Sequence, residues 1–196
     1  PRFYDATEGE VLVDGVNVKN LKQSTLRSKI GYVPQKGVLF SGTVAENIGF
    51  GGVSDMDAIE EAARIAEADG FINEMSDGYA SMISQGGKNV SGGQKQRLSI
   101  ARAVALRPEI MIFDDSFSAL DYKTDKKVRE NLKEHLSGAT NLIVAQRIGT
   151  IMDADKIIVL DQGKAVGEGT HKELLENCPV YREIALSQLS KEELGL

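Results

Sequence analysis

The sequence predicts an α/β fold organised on a mostly parallel sheet. Three observations carry that expectation. Strand-length apolar runs alternate with segments of helical period along most of the chain. The run Asn89-Val90-Ser91-Gly92-Gly93-Gln94 is a Gly-rich turn opening a helix. Further along, Ile110-Met111-Ile112-Phe113 is an apolar strand ending in two carboxylates, Asp114 and Asp115. A Gly-rich helix start offers backbone N–H groups to an anion. Carboxylates at a strand's C-terminal end offer a hard-cation ligand and a base, at the edge where open α/β sheets bind ligands. Together these features point to phosphate chemistry.

The elements follow in order. Glu10 to Val18 alternates and turns at Asp14-Gly15, which predicts a hairpin. Lys29 to Pro34 predicts a short buried strand, ended by Pro34. Gly42 to Phe50 is a loop entering a short helix. From Asp55 to Met75 the residues Met56, Ile59, Ala62, Ala63, Ala66 and Phe71 recur at helical spacing. Ser91 is the N-cap of a helix running to about Leu106, ended by Pro108. Glu109 to Phe113 is a strand, Lys123 to Leu136 an amphipathic helix and Asn141 to Ala145 a strand. Lys156 to Asp161 and Lys164 to Glu168 form a hairpin about Gln162-Gly163. From His171 the chain is helical to near its end. The stretch from about Ser54 to Leu106 is expected to be all-helical, interrupting the sheet.

Composition narrows the function classes. The 196 residues suit one domain with a core of useful size, and 41% hydrophobic with 27% charged residues is ordinary for a globular chain. The net charge of −6 argues against a nucleic-acid partner, which needs a basic face. One cysteine, Cys178, allows no internal disulfide and fits a reducing compartment. No apolar run approaches the ~18–20 residues of a membrane span, so the residues are expected to be soluble in themselves. His135 and His171 lie away from the motifs and are read as surface residues.

The motifs resemble those of the nucleotide-binding domain of ATP-binding cassette (ABC) transporters. Ser91-Gly92-Gly93-Gln94 is similar to the signature motif, with Val90 where Leu is usual, and Ile110 to Asp115 to Walker B. Tyr32-Val33-Pro34-Gln35 resembles the Q-loop and Ser118-Ala119-Leu120-Asp121 the D-loop. Ile143 to Arg147 stands where the switch loop belongs. The resemblance implies a P-loop NTPase (RecA-like) sheet core over about 1–53 and 107–196 and an ABC helical subdomain over about 54–106. It implies ATP and Mg²⁺ as ligands. Asp114 and Gln35 would serve the metal. Gln35 again, with Ser91, Gly92, Gly93, Gln94 and Asp121, would serve the nucleotide, the signature acting on ATP held by a second nucleotide-binding domain packed head to tail. The segment Leu39 to Ile48 is similar to that of exporters, where the neighbourhood receives the transmembrane domains. The implied location is the cytoplasmic face of a bacterial cell membrane.

The phosphate cradle G-x-x-x-x-G-K-[ST] occurs nowhere in these residues. In relatives it lies just upstream of a segment like Pro1-Arg2-Phe3-Tyr4-Asp5. The domain is therefore expected to be incomplete at its N-terminus and inactive alone. Two catalytic positions also depart from the pattern. Asp115 stands where Glu is usual, and one methylene less withdraws the carboxylate by about an ångström, while a base must reach within ~2.6–3.2 Å of its proton. Gln146 stands where His is usual, and an amide carries no proton at neutral pH. Gln85-Gly86-Gly87 also departs from the exporter pattern. The joint departures beside an intact signature resemble the degenerate-site subunit of a heterodimeric exporter. A soluble ABC ATPase and a non-catalytic ATP-binding regulatory module remain the alternatives.

Overall fold

The structure is a computed structural model that describes residues 1–196. The elements are β1 Leu12–Val13, β2 Val16–Asn17, α1 Gln23–Ser28, β3 Ile30–Val33, β4 Gly42–Thr43, α2 Val44–Ile48, α3 Met56–Ile65 and α4 Asp69–Asn73. They continue with β5 Met82–Ile83, α5 Gly92–Ala105, β6 Ile110–Asp114, α6 Tyr122–His135, β7 Thr140–Val144, α7 Ile148–Ile151, β8 Ile157–Asp161, β9 Lys164–Gly169, α8 His171–Asn177 and α9 Pro179–Gln188. The chain divides into two compact units, Pro1–Val144 and Ala145–Leu196.

In the first unit β3, β6 and β7 form a parallel sheet in the order β3-β6-β7. Val33, Met111 and Phe113 are fully buried against α5 and its neighbours, in one apolar core that also takes Leu98, Ile100, Ile72, Val128 and Leu132. The approach of α5 to β3 is set by a missing side chain. A Cβ on Gly31 would lie 3.1 Å from the Ala103 carbonyl of α5, as well as 2.6 Å from the Met111 sulfur and 2.8 Å from Pro108 Cγ. The β1–β2 hairpin turns at Asp14 and Gly15, both left-handed, as its alternation predicted.

The segment from 54 to 106 is not wholly helical. Met82–Ile83 pairs antiparallel with Gly42–Thr43. Two residues carry too little alternation to be recognised as a strand. The predicted helical run from Asp55 is also split. After α3 the chain makes a Schellman turn, with Ala68 N–H donating to the Ala63 carbonyl (2.8 Å) and Glu67 N–H to the Arg64 carbonyl (3.0 Å). Glu67 occupies the left-handed position with φ 55°. Glycine is usual there, so the sequence gives no sign of the stop. The strain is offset from α6. Asn131 donates to the Arg64 and Ile65 carbonyls and, at 2.8 Å, to the Glu67 carboxylate, which also takes Lys127 Nζ at 2.7 Å.

The second unit has its own core of Ile148, Ile157, Val159, Leu174, Leu175, Tyr181 and Ala185. Its β8–β9 hairpin turns through Gln162 and Gly163, both left-handed. The C-terminal helical stretch breaks at Cys178, which is buried, and Pro179 opens α9. His171 is not a plain surface residue. It is half-buried, and its Nδ1 lies 2.7 Å from the Tyr181 hydroxyl. His135 is exposed.

Replacing Asn131 by Ala strips the Arg64 and Ile65 carbonyls and the Glu67 carboxylate of their amide donor and leaves the exposed Lys127 pair as the remaining bond from α6 to Glu67. We expect a loss of about 1–3 kcal/mol, read as a lower urea midpoint at unchanged slope.

Candidate functional site

The register of the two central strands builds the site. Ile30 pairs with Ile110 and Val33 with Phe113, so both chains leave the sheet at the same level. The next residues, Pro34-Gln35 and Asp114-Asp115, therefore meet above its C-terminal edge. Gln35 Nε2 donates to Asp115 Oδ2 at 3.0 Å, and the Tyr32 hydroxyl donates to Asp114 Oδ2 at 3.0 Å. The fully buried Ser116 hydroxyl donates to the Val33 carbonyl at 2.7 Å and ties the two strand ends together.

Asp115 has φ 46°, a left-handed conformation that Asp tolerates better than most residues. Its backbone is held on both sides. Its N–H donates to the Val144 carbonyl (2.9 Å), and its carbonyl accepts the Ser118 hydroxyl (2.7 Å). The Tyr32 phenol is pushed above its ordinary pKa, first by burial and then by the Asp114 carboxylate it donates to.

The N-terminus of α5 forms a full capping box. Gln94 N–H donates to Ser91 Oγ (3.2 Å) and Ser91 N–H to Gln94 Oε1 (2.9 Å). Gly92 is exposed and Gly93 half-buried, with room for a Cβ only 3.5 Å from the Ala119 carbonyl. The first-turn N–H groups of a helix have no intrahelical acceptor, and here they stand at an exposed Gly-rich end.

The remaining predicted residues make their hydrogen bonds with other partners. Asp121 caps α6, accepting from Thr124 N–H (3.0 Å) and the Thr124 hydroxyl (2.7 Å). Those bonds, the hydroxyl first, hold its carboxyl below the usual value. Gln146 belongs to the second unit, where its carbonyl accepts from Gln188 Nε2 at 2.8 Å. In the Gln85–Gly87 turn Gly86 and Gly87 are left-handed, and a Cβ on Gly87 would press on Lys95 and Leu39.

Three supporting residues escaped the sequence reading. Gln96 is buried inside α5 and bonds the 34–37 loop. Asn47, also buried, closes the 40–43 loop through Phe40 N–H and the Phe40 and Thr43 carbonyls. Arg102 donates to the Asn47 and Val38 carbonyls and stacks over Phe40 and Phe50; burial lowers its pKa. The signal available for all three was a polar residue within an otherwise buried helical face.

The donor set at the strand ends fits Mg²⁺ in part. It offers hard oxygens, the carboxylates of Asp114 and Asp115 and the Gln35 amide, and no cluster of three acidic or imidazole groups. Mg²⁺ takes one or two carboxylates and fills its sphere with phosphate and water.

A family profile described as ABC transporter matches residues 2–118. The chain belongs to the ABC transporter family. An uncharacterized ABC transporter ATP-binding protein of Mycobacterium tuberculosis is 50% identical over 198 residues, covering 99% of this chain and 34% of that protein. The ATP-dependent lipid A-core flippase of Hahella chejuensis is 40% identical over 195 residues, covering 98% of this chain and 33% of that protein. Among solved structures, a bacterial Atm1-family ABC exporter with ATP bound superposes with a TM-score of 0.93 at 37% identity, covering 96% of this chain and 34% of that one. The fold is that of the P-loop NTPases, with the parallel sheet expected of it. The chain spans about a third of the length of these ABC relatives. No helix is long and apolar enough to cross a membrane.

Tyr32 supplies a pH test. Its raised folded pKa means that its contribution to stability is present below about pH 10 and is lost as pH rises through the folded value. In Asp114→Asn its titration, followed by NMR of labelled tyrosine, should fall but stay above the ordinary value, because burial is the larger cause. Asp121 works in the opposite sense. Its stabilisation is present above the ordinary carboxyl value and is lost as pH falls through the depressed one. In Thr124→Ala the Asp121 carboxyl should titrate back toward that ordinary value.

Proposed function

We propose that this chain is part of the ATP-driven motor of an ABC exporter, at the cytoplasmic face of the cell membrane and coupled to transmembrane domains. The observation that supports this best is the meeting of Gln35, Asp114 and Asp115 at the ends of two adjacent parallel strands. In this reading about 54–106 is the helical subdomain, and about 1–53 and 107–196 belong to the RecA-like core. Asp114 and Gln35 would hold Mg²⁺, which would supply charge neutralisation to the nucleotide's phosphates. Asp115 orients the attacking water. Ser91, Gly92, Gly93 and Gln94 present the exposed amides of α5 to ATP held by a second nucleotide-binding domain, with the helix dipole adding about half a positive charge. Asp121, rigid as the cap of α6, lines the contact between the two domains.

The chain's own site is degenerate in this proposal. Asp115 holds water at one methylene's remove, and Gln146 hydrogen-bonds phosphate without shuttling a proton. ATP stays bound there and holds the dimer, while the intact signature completes the hydrolysing site of a different partner subunit. The pairing is a heterodimer.

In the assembled exporter, converting Asp115→Glu and Gln146→His together should raise hydrolysis at this site by at least about tenfold, since a positioned general base contributes ~10²–10⁴. The readout is the fraction of ADP in nucleotide trapped on this chain. An unchanged fraction would count against the degenerate site. Loss of MgATP-dependent turnover in Asp114→Asn tests the motor reading as a whole, and undiminished turnover would remove it.

A further inference from the structure

Gln35 is exposed, yet the loop that carries it is held tightly from below. The holder is Gln96, 1% exposed in the middle of α5. Its Nε2 donates to the Pro34 carbonyl at 3.0 Å, and its Oε1 accepts the Gly37 N–H at 2.9 Å. These two bonds bracket Gln35 on both sides. The contact is close because residue 37 has no side chain. A Cβ there would lie 2.8 Å from the Lys95 carbonyl and 2.8 Å from Ser99 Oγ. Ser99 Oγ is itself buried with no hydrogen-bond partner, so the pair of bonds from Gln96 ties Pro34 and Gly37 to the helix, and Arg102 adds a bond to the next carbonyl, that of Val38.

A buried primary amide that uses both of its ends on one loop is a directional constraint, since leaving either end unmade costs about 1–3 kcal/mol. The same helix ends at the Ser91 capping box. α5 therefore carries the exposed glycine amides at its start and, one turn further on, the clamp on the loop of Gln35. Gln35 in turn donates to Asp115.

We propose that Gln96 is a positioning residue for the metal-facing Gln35, fixing the loop that aims its amide at this chain's own strand-end carboxylates. The proposal rests on the motor reading above. Gln96 touches no reacting atom. It acts by fixing the Pro34 and Gly37 backbone, and through them the amide that reaches Asp115. Outer partners that orient a metal ligand change metal affinity when removed, while leaving the nucleotide's other contacts in place.

The test is a cycle of Gln96→Met, which keeps bulk and deletes both bonds, with Gln35→Ala, in the assembled protein. Gln96→Met should raise the Mg²⁺ concentration for half-maximal retention of ATP on this chain by about tenfold, while the affinity of this chain's site for ATP at saturating Mg²⁺ moves less than about twofold. Gln35→Ala should do the same, and the double variant should be no worse than Gln35→Ala alone. Gln96→Glu retains the acceptor for Gly37 and should fall between, which covers the case of a Met variant that folds poorly. Amide exchange at Gly37 should quicken at least about tenfold in Gln96→Met. An unchanged Mg²⁺ requirement, or losses that multiply in full in the double variant, would overturn the proposal. If no form of the assembly turns over MgATP, the motor reading fails, and Gly37 exchange alone then judges the clamp: unaltered exchange in Gln96→Met overturns it.

Discussion

The parallel pairing of β3 with β6 is the constraint from which the rest of the site follows. Four residue pairs, Ile30 with Ile110 through Val33 with Phe113, join segments far apart in sequence. A slip of one residue would turn Val33 or Phe113 away from the core and carry Gln35 out of reach of Asp115. The register is held by burial on the core face, by Gly31 admitting Met111 and Pro108, and by the Ser116–Val33 bond at the exit. Apolar packing thus sets, at no separate cost, the 3.0 Å contacts made by Gln35 and Tyr32.

The polar interior is specialised around that frame. Gln96, Asn47 and Arg102 are buried or half-buried, and each bonds backbone of the 34–47 loop region. Buried amides satisfied at both ends specify one arrangement, whereas apolar side chains tolerate several. The loop residues they hold, Val38, Phe40 and Phe50, stay exposed. Phe40 and Phe50 stack on each other with centroids 4.3 Å apart beneath the Arg102 guanidinium. An exposed aromatic pair backed by a fixed cation is a preformed surface with little rotamer freedom to lose.

Much of this was legible in the sequence where local chemistry decides structure. The Ser91–Gln94 box, the Asp14-Gly15 and Gln162-Gly163 turns and the apolar runs of β3 and β6 each declare themselves within a few residues. The close contact of Gln35 with Asp115 was implied only by resemblance, because β-pairing across 80 positions leaves no local trace. Three features were illegible for identifiable reasons. Glu67 stops a helix in a conformation that usually calls for glycine, and its support comes from α6. The β4–β5 ladder is two residues long. His171 looks like an ordinary helix-start residue until Tyr181 folds onto it from α9. Each depends on a partner distant in the chain.

The β4–β5 ladder and the Gly31–Pro108 contact have a joint consequence for how the chain assembles. The insert between β3 and β6 enters at Gly42, is stitched to itself at Ile83 and returns through Pro108 beside Gly31. The ladder places Ile83 beside Gly42 and so shortens the effective loop that separates the two strands. Closure entropy grows only as the logarithm of loop length, roughly 0.6 kcal/mol per doubling. A self-stitched insert presents the sheet with a short effective loop, whatever its contour length. The helices between Gly42 and Ile83 lie inside the stitched part, so their length adds little to the closure cost of the strand pairing, whereas α5 lies outside it and is fixed by its own contacts with the sheet.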